Sequence, residues 1–212
     1  WKNKGVNLQI GTQILEPLKI DQNRELFYKA SEMADFIGCL PSRDGKDADY
    51  HLDIVFSKAK ELNKDVEVHT DQQNTPDEKE TEMVCDFVEK YGWNGKTRAI
   101  HCISLACHPM EYQVDIAKRL ASLNIGVICC PSAAIGMTQH SEYNSPIHNS
   151  IAPVRILKEN GVRVSLGVDN VEDVFVPFCD ADLLFEIRLL AESTRIYDID
   201  MLTEIITDDM GF

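Results

Sequence analysis

Val162-Arg163-Val164-Ser165-Leu166-Gly167-Val168-Asp169 reads as an apolar strand that ends on a carboxylate. Two earlier stretches have the same form: Asp65–Val68 runs into His69, and Arg98–Ile100 runs into His101. A parallel α/β protein displays its chemistry at the carboxyl ends of its strands. Two imidazoles and a carboxylate at such ends, on neighbouring strands of one sheet, would meet in space despite their separation in sequence. Residues of these types at one point suit a metal ion and the water it activates.

Working outward, strand and helix patterns alternate along the whole chain. Strands are predicted at Val6–Ile10, Phe36–Leu40, Asp65–His69, Arg98–His101, Val127–Cys130 and Val162–Val168. Helical spacing of apolar residues marks Gln22–Met33, His51–Leu62, Glu111–Leu123, Pro153–Glu159, Ala181–Ser193 and Met201–Thr207. The strongest helix start is Thr75-Pro76-Asp77-Glu78, which combines a capping Thr, Pro at the first helical position and Glu three residues after the cap. A long polar loop is expected from Ser132 to Ser150. Strand starts recur at intervals of about 30 residues, the length of a βαβ unit, which demands a parallel sheet with helices outside it. A doubly wound open sheet and part of a (β/α)8 barrel both fit. Gly11 stands alone after the first strand, so no G-x-G-x-x-G phosphate loop is present, and the barrel is favoured. No linker or low-complexity segment interrupts residues 1–212, which read as one domain.

The formal net charge is −14. Such a surface repels phosphate backbones and anionic lipid, so nucleic-acid and membrane partners are not expected. The seven cysteines are odd in number and sit mostly in apolar runs, which reads as reduced thiols in a cytoplasmic protein. The chain opens on Trp1 rather than Met, which reads as a piece of a longer gene product.

Each candidate has a structural reading beside the functional one. His69 precedes Thr70-Asp71-Gln72-Gln73-Asn74, a polar run natural at an active-site mouth, but an imidazole can also simply cap a strand end. His101 opens His101-Cys102-Ile103-Ser104-Leu105-Ala106-Cys107-His108. This run lacks the two separated ligand pairs of a structural zinc site, and its cysteines read as core thiols. Asp169 needs a partner if buried: a metal, an arginine or a helix N-terminus. His51, His140 and His148 read as surface residues or loop anchors, and the acidic run Asp77–Glu82 as a solvated helix start.

Val68-His69-Thr70-Asp71, the stretch after His101, Cys130-Pro131, and Leu166-Gly167-Val168-Asp169-Asn170-Val171-Glu172-Asp173-Val174-Phe175 together resemble the cytosine-deaminase-like members of the amidohydrolase superfamily. The resemblance covers nearly the whole chain and corresponds to the C-terminal two-thirds of such an enzyme. It implies a (β/α)8 barrel with one divalent metal, zinc or iron, and hydrolysis of a non-peptide C–N bond in a small heterocyclic or amide substrate. It implies that His69 and Asp169 are metal ligands, that Asp169 also takes the proton of the attacking water, and that His101 polarises water or substrate. Gln72 and Asn170 fall at substrate-contacting positions.

Two departures shape the expectation. No His-x-His pair, the family's first-strand ligands, occurs in these residues, and six strand units stand where eight are needed, so the first two strands are missing. The barrel is therefore expected to be incomplete, its metal absent or weakly held, and its open edges at Val6–Ile10 and Val162–Val168 paired with another chain in a homo-oligomer or covered by rearranged segments. Gln72 stands where the cytosine deaminases have a proton-shuttling Glu, and an amide cannot shuttle protons. Leu15 aligns with a substrate-binding Gln of those enzymes. Cytosine itself is thus not the expected substrate. A barrel that has lost catalysis and only binds a small molecule is the alternative, and an open-sheet binding domain without metal is a further one.

Overall fold

The computed structural model describes residues 5, 7–137, 150–208 and 210. Six parallel strands lie side by side in sequence order: β1 (Gly11–Ile14), β2 (Phe36–Cys39), β3 (Val66–Thr70), β4 (Thr97–His101), β5 (Gly126–Cys129) and β6 (Val164–Leu166). Consecutive strands that pair in parallel need a crossover on each link. The crossovers carry α1 (Asp21–Met33), α2 (Ala48–Leu62), α3 (Glu80–Tyr91), α4 (Met110–Ser122), then α5 (Pro131–Gly136) and α6 (Val154–Glu159) between β5 and β6. Helices α7 (Leu183–Thr194) and α8 (Ile199–Thr207) follow β6. The sheet is not closed: β1 and β6 each pair on one side only among the described residues. This is an incomplete α/β barrel.

The two faces of the sheet differ in what they bury. Val66, Val68, Ala99, Val127 and Val164 enter one apolar core with helix residues such as Val55, Phe56, Val84, Val88 and Leu120. Phe56 is fully buried there, and its truncation to Ala should cost about 3–5 kcal/mol. On the other face His69 pairs laterally with Ile100, and Ile100 with Ile128. Ile100 and Ile128 form a separate small cluster with Cys130 and Ala133. The functional face thus has its own thin apolar floor, and the helices leave it open.

One device sets strand entry four times. Asn63, Gly92, Asn124 and Gly161 adopt the left-handed conformation after a helix. The next residue's N–H then bonds back to a carbonyl in the last turn: Lys64 to Ala59 (3.0 Å), Trp93 to Val88 (2.9 Å), Ile125 to Leu120 (2.9 Å) and Val162 to Leu157 (3.0 Å). Asn and Gly pay least for that conformation, so these stops are readable in the sequence.

Several expectations are corrected. The first strand is Gly11–Ile14, not Val6–Ile10. Residues 7–10 are irregular, with Leu8 and Ile10 exposed, and residue 6 lies outside the described residues. The apolar run was misleading because register is set by β2, whose Phe36–Cys39 pairs with Gly11–Ile14. The last strand is shorter than Val162–Val168, since Val162 belongs to the helix exit. The expected loop from Ser132 begins instead as α5, started by Pro131 at its first position. Residues 138–149, including His140 and His148, lie outside the described residues. His51 is not on the surface: it is fully buried in α2, with Nδ1 2.7 Å from Asp44 Oδ2. All seven cysteines are free, six of them buried and Cys107 half-buried. Among the described residues no helix is long and apolar enough to cross a membrane.

Candidate metal centre

His69 is the penultimate residue of β3, and His101 the last of β4. Asp169 follows β6 after Gly167 and Val168. Their ligand atoms lie within 4.8 Å of one another. His69 Nδ1 is 3.2 Å from His101 Nε2, and His101 Nε2 is 3.8 Å from Asp169 Oδ2. The rings meet edge to face with centroids 5.1 Å apart. The stretch containing Cys102, Cys107 and His108 forms no second ligand group among the described residues: the His108 ring faces the Glu78 carbonyl oxygen at 3.2 Å and stacks on Tyr112.

The electrostatics keep both rings neutral. Burial, reinforced by the neighbouring His101, pushes His69 down to about 4 against the opposing pull of Asp169. Burial alone takes His101 down to about 4. Asp169 is raised, first by desolvation, with His69 opposing and Asp173 adding to the rise. His101 Nδ1 is buried without a hydrogen-bond partner. A lone pair left unmatched costs less than an N–H left unmatched, so the favoured tautomer carries its proton on Nε2, facing His69 and Asp169.

The backbone is bent to reach this arrangement. His101 (φ 75°), Cys102 (φ 51°), Asp71 (φ 50°) and Asp169 (φ 67°) all have positive φ. Each departure of this kind costs on the order of 1 kcal/mol for a residue with a Cβ. Strain of this kind gathers where side-chain direction matters more than stability.

The loop after β3 is tied down by a remote capping box. The Asp71 carboxylate receives the N–H of Glu80 (2.6 Å) and of Thr81 (3.3 Å), while Glu80 Oε2 accepts from the N–H of Asp71 (2.8 Å). Helix α3 therefore starts at Glu80, not at the Thr75-Pro76 signal. Thr75 instead accepts from the N–H of Asp77 at 3.3 Å, closing a tight turn. Glu78 receives the N–H of Gln73 (2.8 Å) and the Ser104 hydroxyl (3.0 Å), which fixes the backbone beside Gln72. The acidic run is thus only partly a solvated helix start. Glu80 is buried and pushed up to about 7, and Asp71 to about 6, in both cases by desolvation first.

His69 and Asp169 open into a cavity of about 420 Å³. Gln72 and Asn170 also line it, as does Leu15. Two further polar lining residues were missed by sequence reading, Gln13 on β1 and Arg43 after β2. Gln13 lies over Gly38, where an added Cβ would come within 2.8 Å of Gln13 Oε1 and 2.1 Å of the Thr12 carbonyl oxygen. That glycine is the signal that could have pointed to Gln13. Asn170 donates to Asp173, whose carboxylate also accepts the N–H groups of Phe175 (2.9 Å) and Val176 (3.0 Å), folding that loop over the cavity.

A parallel α/β barrel with two imidazoles and a carboxylate at its strand ends defines a class: proteins of amidohydrolase-like fold. Comparison with known proteins agrees. The chain is similar to a crystal structure of 5-methylcytosine deaminase from Klebsiella pneumoniae, with a TM-score of 0.88 at 20% identity, over 97% of this chain and 51% of that one. In sequence it is 36% identical over 149 residues to an uncharacterised protein of Haemophilus influenzae, covering 69% of this chain and 54% of that protein. It is 23% identical over 154 residues to a pterin deaminase of Rhizobium rhizogenes, covering 73% of this chain and 35% of the relative. No protein-family model matches the chain. The chain thus spans about half the length, or less, of the relatives it matches.

Proposed function

We propose that this chain carries the catalytic strand ends of a metal-dependent hydrolase that cleaves a non-peptide C–N bond, with an amino-substituted heterocycle as the preferred substrate class. The observation that carries the reading is the convergence of His69, His101 and Asp169, two of which, His69 and Asp169, line one cavity. The donor set fits a divalent ion, zinc or iron: a neutral imidazole of His69 and the carboxylate of Asp169 as ligands, with His101 beside them. A bound ion would make water a competent nucleophile near neutral pH.

The chain's own residues supply the rest. Asp169 accepts a proton from the attacking water and, with its raised pKa, can hand it on to the leaving nitrogen. That transfer falls to Asp169 because Gln72 cannot shuttle a proton. His101 donates from Nε2 toward charge that develops on the substrate. Gln72, Asn170 and Gln13 offer amide donors and acceptors that match the alternating edge of a nitrogen heterocycle.

A cytoplasmic setting goes with the seven free thiols. Self-association goes with the open edges at β1 and β6, and sedimentation as a monomer would count against it. The function is tested by ammonia release from a panel of amino-pterins, amino-pyrimidines and amino-triazines in the presence of zinc or iron(II). Metal-dependent turnover that is lost in Asp169→Asn is expected. Ligand binding without turnover of any panel member would support the non-catalytic alternative instead.

A further inference from the structure

Arg43 is the one arginine or lysine among the described residues lining the cavity that holds His69 and Asp169. Its guanidinium has no hydrogen-bond or ion-pair partner among the described residues. Other arginines, such as Arg188, are also without a partner among the described residues, but Arg43 alone among them lines this cavity. The carboxylates next to it in sequence are already engaged. Asp44 is buried, and its Oδ2 receives the N–H of Leu18 (2.8 Å) and faces His51 Nδ1 (2.7 Å), while Oδ1 receives the N–H of Lys19 (3.3 Å). Asp47 is held by Lys19. The same bonds clamp the segment after β2 to the β1–α1 connection and to α2, so the Arg43 backbone has a fixed place at the cavity rim.

From this we infer that Arg43 is a specificity-determining residue that receives a carboxylate substituent on the substrate, away from the C–N bond that breaks. The inference rests on the cavity being the substrate site of the proposed hydrolase. A planar guanidinium pairs with a carboxylate through two parallel hydrogen bonds, and one at a pocket rim with no internal partner is available for it. A neutral substrate would leave the positive charge unused. An anion also gains from Arg43 in a site where Asp169 otherwise repels it.

The test compares matched ligands that differ only by a carboxylate: pterin with 6-carboxypterin, and cytosine with 5-carboxycytosine. Affinities are measured by calorimetry on the zinc-supplemented protein and on Arg43→Gln, Arg43→Lys and a distant control, Arg188→Gln. For at least one pair the carboxylated member should bind about tenfold to a hundredfold more tightly to the unaltered protein, as a charge-assisted bidentate bond provides. Arg43→Gln should erase that preference, Arg43→Lys should keep part of it, and Arg188→Gln should leave it intact. Equal binding, preference for the neutral member, no binding of any member, or a preference that survives Arg43→Gln would overturn the inference. Zinc binding is measured separately on the same samples. A carboxylate preference that depends on Arg43 in a protein that binds no zinc would count against the metal-hydrolase reading while leaving the role of Arg43 standing.

Discussion

Asp44–His51 and His69–His101–Asp169 are both sheltered groupings of imidazole and carboxylate, and they differ in nearly every physical respect. In the first, the carboxylate sits 2.7 Å from the ring, accepts two backbone N–H groups, and both side chains are fully buried. Neither residue has positive φ. In the second, the contacts are longer, His101 and Asp169 both have positive φ, and the Asp169 side chain keeps about a fifth of its surface exposed. The first arrangement joins β1, β2 and α2, and its one unpaired ring atom, His51 Nε2, is buried and does not line the cavity that holds His69 and Asp169. The second is strained, and two of its members, His69 and Asp169, line a cavity. The contrast teaches that burial of a histidine is not the mark of a site; an unfinished set of bonds facing open space is.

The largest expected effect separates the two directly. Asp169→Asn should lower C–N hydrolysis by about a thousandfold or more, since ligand and base are lost together. It should leave stability unchanged or raise it by up to about 1 kcal/mol, because a desolvated carboxylate is removed. Asp44→Ala should do the reverse to the fold. It strands His51 and two N–H groups, and the expected loss is about 3 kcal/mol in urea unfolding. If Asp169→Asn destabilised as much as Asp44→Ala, the two regions would not differ in kind.

The second effect is on pH dependence. Burial holds His51 below its ordinary pKa despite the opposing pull of Asp44. A depressed histidine contributes stability that is present above its unfolded pKa and is lost as pH falls through the folded value. Stability measured from pH 7 downward should therefore fall below about pH 6.5 more steeply than in His51→Asn, the unfolded reference being that of a free histidine. Parallel curves for the two proteins would show that His51 is not held neutral.

The smallest effect concerns the start of α3. Thr75→Ala should cost under about 0.5 kcal/mol, as it removes a turn bond and no helix cap. Asp71→Ala should cost about 1–3 kcal/mol, because it frees the N–H groups of Glu80 and Thr81. The reverse order would restore Thr75-Pro76 as the true start.

These cases also show how much was legible in the sequence. The alternation of strand and helix depends on local chemistry and was read directly. The stops at Asn124 and Gly161 are equally local, and those at Asn63 and Gly92 carry the same signal, although it was not used. His69, His101 and Asp169 were found because strand ends in a parallel sheet fall on one side. What escaped depended on contacts between distant residues. Asp71 outcompetes Thr75 for α3 only once the loop folds back. His51 looks like a helix-surface residue until Asp44 is brought against it by the turn after β2. Gln13 reaches the cavity from a strand whose boundaries are set by pairing, and β1 was placed several residues too early for that reason, while Arg43 reaches it from the turn after β2.

The central claim is that His69 and Asp169 hold a divalent ion, and zinc binding by equilibrium dialysis tests it most directly. One ion per chain is expected, bound more weakly than in a four-ligand structural site, lost in His69→Ala and in Asp169→Asn, and retained in His51→Asn. No bound zinc, or binding that persists in His69→Ala and Asp169→Asn, would contradict it.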